Sequence, residues 1–350
     1  MDYSQMKKIV FISEYMNPPY DEGIKKTVFQ TWGKLNEEYE VLGICRFGFE
    51  AENLKIVNTN KLFLDKKIKN LIREFNPVSI VYFPFASATF AGILRNYVFA
   101  KFAKTANSVM IAMQPKELSN WQSLVSKLIK PNKILTPSPL LEERMRELGV
   151  ETKLLPLLTN LNTFSPLKEY AAKLELRKKY KIPVSSYIIT HVGHLNEGRN
   201  LESLIPLQKE GSQVIIVGSS STPKDSLGPK SIKENLIEEG VLVLDGYIES
   251  IQEIYQLSDL YVFPVIKKNS SIGMPLSILE ARACGILVLT TDFGSVNHFL
   301  GDDNGGIYYE KPENFLFRFN EIRQNDKHEV KKTDVAHLND TFKKILKETI

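Results

Sequence analysis

The stretch Ser270-Ser271-Ile272-Gly273-Met274-Pro275-Leu276-Ser277-Ile278-Leu279-Glu280-Ala281-Arg282-Ala283-Cys284-Gly285 constrains the fold more than any other part of the chain. Upstream of it, Ser258 to Pro264 reads as a short buried strand stopped by a proline. Downstream, Gly285 to Gly294 reads as the next strand, ending in a turn. A helix between two near-continuous apolar strands is a βαβ unit of a parallel sheet, and such sheets hold ligands at the carboxyl ends of their strands. Pro275 is expected at the first helical position, where its missing N–H costs nothing, and Gly273 lets a ligand approach the main chain. The first-turn amides then face outward at the positive end of the helix. Glu280 follows Pro275 by five residues, roughly 7.5 Å along the axis. That is about the reach from a diphosphate to a ribose diol, so a nucleotide fits along this helix. Its phosphates would rest at the helix tip by Gly273, with the main-chain donors of Met274 and Leu276 lining the base or the phosphate pocket.

The remaining periodicity describes two open α/β sheets. Strands are expected at 7–12, 39–45, 79–84, 108–113 and 133–136, with helices near 24–36, 62–75, 90–105, 119–129 and 140–148 between them. In the second half, strands are expected near 187–192, 213–217, 241–245, 260–263, 286–290 and 306–308, again alternating with helices. Leu157 to Tyr170 is the linker candidate, and 335–349 reads as a helix with Leu338, Phe342, Ile345 and Leu346 on one stripe. At 350 residues the chain is too long for one core.

The order of strand, proline, polar loop, G-x-P-L-S-x-L-E-A-x-A-C-G and strand resembles the donor-nucleotide signature of retaining glycosyltransferases of family 4. Further landmarks run through the chain: Lys8 to Ile12 with Pro18 to Gly23, Ile134 to Ser138, Glu142 to Val150, Leu155 to Pro166, and Val192-Gly193-His194-Leu195-Asn196-Glu197-Gly198-Arg199-Asn200. The resemblance implies an α/β GT-B fold, two Rossmann-like doubly wound domains facing across a cleft. Its parts would be an acceptor domain at 1–160, a nucleotide-sugar donor domain at 161–334, and a C-terminal helix at 335–350 packing back toward the first domain. It implies transfer of a sugar from a nucleotide-diphosphate sugar such as a UDP or GDP sugar, with retention, to a glycan, lipid-linked or small-molecule acceptor. No metal or other cofactor is expected.

In this chemistry the departing diphosphate gains negative charge, so cations and amides aimed at it lower the barrier. By resemblance, Arg199 and His194 stand where the family places a lysine and an arginine, beside Gly193. Arg199 keeps the cation, with a fork suited to phosphate; His194 is charged only below about pH 6.5 at its ordinary pKa. Gln114 stands where many members have a histidine near sugar and acceptor; it hydrogen-bonds a hydroxyl but takes no proton. The first of the family's two glutamates is replaced by Ile272, which leaves Asn269, Ser270 and Ser271 either to contact the donor or to serve as solvated loop. Gly23 supplies the close approach of the first-domain loop. Gly246, Tyr247 and Ile248 form the turn expected to read the base. These departures leave a second reading open, a glycosyltransferase-like nucleotide-binding or scaffold subunit without turnover.

Charge divides unevenly. Residues 1–160 hold 22 Lys and Arg against 16 Asp and Glu, whereas 161–350 hold 23 against 25. Lys61, Lys66, Lys67, Lys69 and Arg73 cluster on one helical stretch, and Arg95, Lys101 and Lys104 flank Tyr97 to Ala100. One reading is a solvated helix face; the other is peripheral contact with anionic lipid through the basic first domain. No nucleic-acid motif accompanies the charge. The chain has no run of 18 apolar residues and no signal-peptide pattern, so a cytoplasmic location is expected, possible membrane contact being at the inner face. Cys45 and Cys284 are expected as reduced core residues.

Overall fold

The computed structural model describes residues 6–20, 22–59, 62–103, 107–208, 211–219, 232–267, 270–301, 306–324 and 333–350. The chain divides into two compact units, Met1–Leu158 with Asp340–Ile350, and Thr159–Asn339.

In the first unit seven parallel strands, β1 (Lys8–Tyr15), β2 (Glu40–Phe47), β3 (Leu54–Ile56), β4 (Ser79–Tyr82), β5 (Asn107–Ile111), β6 (Lys133–Thr136) and β7 (Glu151–Leu154), lie in the order β3-β2-β1-β4-β5-β6-β7. Helices α1 (Gly23–Glu38), α2 (Lys66–Phe75), α3 (Phe90–Phe102), α4 (Asn120–Leu128) and α5 (Pro139–Glu147) alternate with them. Strands β1 and β4 have no exposed interior position, as a sheet covered on both faces requires. Val10, Ile12, Ile44, Ile80 and Tyr82 pack there against Ile68, Ile72 and Phe99. Strands β3 and β7 were not expected. They are edge strands of three and four residues with one buried side chain each, too short and too polar for an apolar pattern to announce them.

The second unit starts with α6 (Tyr170–Lys179) and continues through β8 (Tyr187–His194), β9 (Ser212–Ser219), α7 (Ile232–Glu238), β10 (Leu242–Asp245), α8 (Ile251–Leu257), β11 (Leu260–Phe263), α9 (Leu276–Ala283), β12 (Leu287–Thr290), α10 (Val296–Leu300), β13 (Ile307–Tyr309) and α11 (Phe315–Gln324). Its strands are parallel in the order β10-β9-β8-β11-β12-β13. Strand order reverses between β8 and β11, so the chain leaves these two neighbours in opposite directions and opens a crevice at their carboxyl ends. A last helix, α12 (Thr333–Thr349), begins in this unit, and its residues from Asp340 belong to the first. There Asn107 donates to the Thr349 carbonyl at 3.1 Å.

One expectation changes. Arg95 does not sit in a surface basic patch. Its Nη1 pairs with buried Glu14 at 2.6 Å, and its Nε donates to the Leu62 carbonyl. Glu14 also accepts from Tyr82 Oη (2.7 Å) and the Phe85 amide (2.9 Å). Lys61 and Lys104 lie outside the described residues, while Lys66, Lys67 and Arg73 are exposed. No described helix is long and apolar enough to cross a membrane.

At the amino ends of β8 and β11 the second unit is tied by Asp259. One oxygen meets Arg177 Nη2 at 2.7 Å and accepts the Ile188 amide at 2.7 Å; the other meets Lys173 Nζ at 2.5 Å. Arg177 is 2% exposed and donates further to the carbonyls of Leu257, Val184 and Ser186. Removing one partner of a buried ion pair strands the other charge. Asp259→Ala should therefore lower the unfolding free energy by about 3–5 kcal/mol in urea titration. A loss under about 1 kcal/mol would mean that the carbonyls alone satisfy Arg177.

Candidate donor-binding site at the strand reversal

Alternate residues of a strand share a face, so Ile189, His191 and Gly193 of β8 point the same way. The sheet hydrogen bonds carry β8 as far as His194. Asn196 then turns the chain, its side chain accepting the Arg199 amide at 3.2 Å. Arg199 is thereby folded back over Gly193: a methyl group on Gly193 would lie 3.0 Å from Arg199 Nη1 and 3.0 Å from His191 Nε2. The missing side chain is what lets the guanidinium lie there.

Arg199 is 7% exposed and stands over the Phe263 ring, 5.6 Å from its centroid. Burial pushes its pKa below the ordinary arginine value, Tyr261 acting in the opposite direction. Among the described residues it has no ion pair, and its Nε has no hydrogen-bond partner. A cation held this deep without a carboxylate costs stability until an anion supplies the counter-charge. His194, the last residue of β8, is half-buried beside this turn.

The loop after β11 closes the other side. Ser270 packs into the space left by Gly198, where a methyl group would meet its Oγ at 1.7 Å. Ser271, Ile272 and Gly273 are half-buried, whereas Met274, Pro275 and Leu276 bury their side chains and leave only main chain for a ligand. Pro275 is not the first helical residue. Its ψ of 123° is extended, so it occupies the N-cap, and α9 starts at Leu276. The Ile278 amide reaches back to the Pro275 carbonyl at 3.2 Å, so the outward first-turn donors are those of Leu276 and Ser277. The loop after β12 holds this segment. Ser295 donates to the Gly273 carbonyl from its amide (2.8 Å) and its Oγ (3.1 Å), and Gly294, at φ +62°, passes so close that a methyl group would lie 2.0 Å from that oxygen. Asn269 lies outside the described residues.

Glu280 lies in the interior of α9 at 5% exposure, with Tyr255 Oη donating to its Oε2 at 3.0 Å. Burial, and next the Glu280 charge, hold the Tyr255 hydroxyl well above the usual tyrosine range. The same two causes push the Cys284 thiol up to about 12, and Cys45 reaches about 12 by burial; both cysteines are free and buried. Gly246 follows β10 at φ +95° with open space around it, Tyr247 beside it is 58% exposed, and Ile248 packs into the core.

Gly23 and Gln114 belong to the first unit. Gly23 opens α1, its carbonyl accepting Thr27 Oγ1 at 2.8 Å. Gln114 follows β5, and its main chain is gripped by Ser87, whose Oγ donates to the Gln114 carbonyl at 2.6 Å and lies 2.6 Å from its amide. Ser87 holds a left-handed φ of 62° to make that grip.

Two residues of the second-unit site escaped sequence reading. His191 carried a signal, a polar residue two positions before Gly193 in a strand; Tyr255, on another helix, carried none. His191 is fully buried, its Nδ1 2.9 Å from the Val262 carbonyl, which makes Nδ1 the protonated nitrogen. Burial, reinforced by Arg199, lowers its pKa to about 3. Among the described residues no group of three or more His, Cys, Asp or Glu side chains is placed to hold a metal ion.

Residues 187–325, most of the second unit, match the family model "Glycosyl transferases group 1". The match covers about two fifths of the chain, and the two parallel sheets are those of the GT-B fold. The Bacillus subtilis (strain 168) protein named as the teichuronic acid biosynthesis glycosyltransferase TuaC is 27% identical over 174 residues, 48% of this chain and 40% of that protein. The N,N'-diacetylbacillosaminyl-diphospho-undecaprenol alpha-1,3-N-acetylgalactosaminyltransferase of Campylobacter jejuni is 28% identical over 158 residues, 43% of this chain and 39% of that protein. These alignments span about two fifths of the relatives' length. The structure of Anabaena HepE in complex with UDP superposes with a TM-score of 0.76 at 13% identity, covering 98% of this chain and 99% of that one.

His191 makes stability depend on pH in a definite direction. Its folded pKa, about 3, lies below the 6.5 of the free imidazole, so the unfolded chain binds the extra proton between these values. Stability is intact above the upper value and is lost as pH falls toward the lower one. Wild type should lose up to about 1.4 kcal/mol per pH unit relative to His191→Gln in that window. A stability difference that does not change with pH would show a solvated imidazole.

Proposed function

We propose that this protein is a retaining, metal-independent glycosyltransferase that moves a sugar from a nucleoside-diphosphate sugar to a glycan or lipid-linked acceptor. The observation that carries this reading is Arg199, a guanidinium 7% exposed, laid over a glycine, with no ion pair among the described residues. A diphosphate is the counter-charge that such a cation and the Leu276 and Ser277 amides fit together. Glu280, steadied by Tyr255, lies further along the same helix, at the distance of the ribose.

In this reading the donor's diphosphate rests on the α9 tip and Arg199, with His194 at its edge. Gly246 to Ile248 and the exposed Tyr247 ring face the base, and Ser270, Ser271 and Ile272 border the sugar. As the sugar bond breaks, charge grows on the diphosphate beside Arg199, whose interaction strengthens toward the transition state. The nucleotide sugar is co-substrate, with no further cofactor. The named relatives support a carbohydrate or lipid-linked acceptor, and the HepE complexes hold UDP and UDP-glucose, which makes uridine donors the first to test.

Calorimetry and thermal shift with UDP, GDP and ADP, followed by cleavage of their sugar donors, test the reading. Arg199→Met removes an uncompensated buried charge, so the nucleotide-free protein should melt no lower than wild type while the nucleotide-induced rise in Tm disappears. Glu280→Gln should weaken diphosphate binding by about 1.5–3 kcal/mol. Unchanged nucleotide binding in both variants would remove the site. Diphosphate binding without cleavage of any donor would favour the other reading, a nucleotide-binding subunit, for which half-buried apolar Ile272 and Gln114 already speak.

A further inference from the structure

Three large apolar side chains stand in solvent on one face of α4: Trp121 at 59%, Leu124 at 67% and Leu128 at 79% exposure. Their spacing, three and then four residues, stacks them along a single stripe of the helix. The helix is well anchored beneath them. Gln122 Oε1 accepts the Ser119 amide at 2.9 Å at its start, and Ser126 is buried on its inner side. The Trp121 ring is set by an edge-to-face contact with Phe90 at the start of α3, 5.1 Å between centroids. One turn along α3 from Phe90, Leu94 is again exposed at 37%. These side chains are therefore presented in a fixed arrangement.

The charge around the stripe is mostly positive. Residues 116–131 hold Lys116, Lys127 and Lys130 against Glu117 alone, and Glu117 is paired with Arg144 at 2.9 Å. Residues 90–103 hold Arg95 and Lys101 and no acid; Arg95 is spent on Glu14, which leaves Lys101 exposed on α3.

We propose that α4 is a membrane-docking surface, seating Trp121, Leu124 and Leu128 at the boundary between headgroups and acyl chains of an anionic bilayer while the lysines meet the headgroups. The size of the patch selects this partner. A stable protein interface needs on the order of 800 Å² from each side and some 20 residues, far more than one nine-residue helix with Leu94 beside it. A bilayer accepts a few side chains on a convex surface, with an aromatic ring and aliphatic chains below the interface and cationic heads above it. The lysines, with the one local acid already neutralised, complement anionic lipid. This moves the lipid contact from the α2 and α3 stretches indicated by the sequence to α4, where charge and exposed apolar surface coincide. It does not depend on the sugar-transfer reading.

The test uses the full chain and vesicles of phosphatidylcholine with and without phosphatidylglycerol. The chain has two tryptophans, Trp32 and Trp121, so Trp32→Phe leaves a single reporter on the surface. Its emission should shift to the blue on adding phosphatidylglycerol vesicles. Leu124→Gln with Leu128→Gln, both on an exposed face, should lower co-sedimentation at least about tenfold, as expected for two leucines left in water. Lys116→Gln with Lys127→Gln should lower it severalfold, an effect erased by added salt. Nucleotide-induced thermal shifts should be the same in all these variants. Wild type that ignores both vesicles, or a leucine variant that binds as wild type does, overturns the proposal. A concentration-dependent dimer dissolved by the leucine substitutions, without vesicle binding, also overturns it and assigns the stripe to a second copy of the chain.

Discussion

Everything in the second unit depends on one topological constraint. A parallel sheet can be covered by helices on both faces only if the chain winds outward from the middle in both directions, and at the reversal two adjacent strands send their loops apart. Here those strands are β8 and β11. The Arg199 turn grows from one and the Ile272–Pro275 loop from the other, and the two meet where Ser270 fills the place of a Gly198 side chain. The loop after β12 then fixes the second through the Gly273 carbonyl, which both Ser295 donors hold. Opposite, at the amino ends, Asp259 binds the starts of β8 and β11 to α6. At the amino ends the charges of Asp259 and Arg177 are paired, whereas at the carboxyl ends Arg199 has no ion pair among the described residues and its Nε lacks a hydrogen-bond partner.

That lack of satisfaction has a definite location. His191 donates to the Val262 carbonyl, so its Nε2 is an acceptor directed at the space above Gly193, and Arg199 occupies the same space from the loop. A neutral imidazole beside the guanidinium avoids a second positive charge there. Aromatic rings complete the enclosure: Phe263 lies under Arg199, and Tyr261 stacks on His191 with ring planes 15° apart. An arginine in such surroundings interacts strongly with an incoming anion because little water screens it.

The first unit solves its own buried charge differently. Glu14, at the carboxyl end of β1, is met by Arg95, Tyr82 and the Phe85 amide together, so no orphan charge remains at that position. Its unusual features lie elsewhere, in the grip of left-handed Ser87 on Gln114 and in the apolar stripe on α4. Two units of the same architecture thus differ in where they leave chemistry exposed.

The sequence by itself determined the winding, because buried parallel strands must be continuous apolar runs and glycine and proline mark where they stop. β6 and β11 fall at the expected residues, and the β11–α9–β12 segment with its glycine tip and Glu280 was legible without coordinates. Edge strands β3 and β7 were not, since a strand buried at one residue carries no pattern. Tertiary structure alone decided which charges are spent and which are free. Arg95 and Arg199 look alike in sequence, yet one is neutralised by Glu14, 81 residues away, and the other is buried with no carboxylate partner among the described residues. Likewise Tyr255 reaches Glu280 across 25 residues, and Pro275 becomes an N-cap because the loop from β12 sets the path of the chain before it. Such facts depend on contacts between segments distant in sequence, and local periodicity contains no record of them.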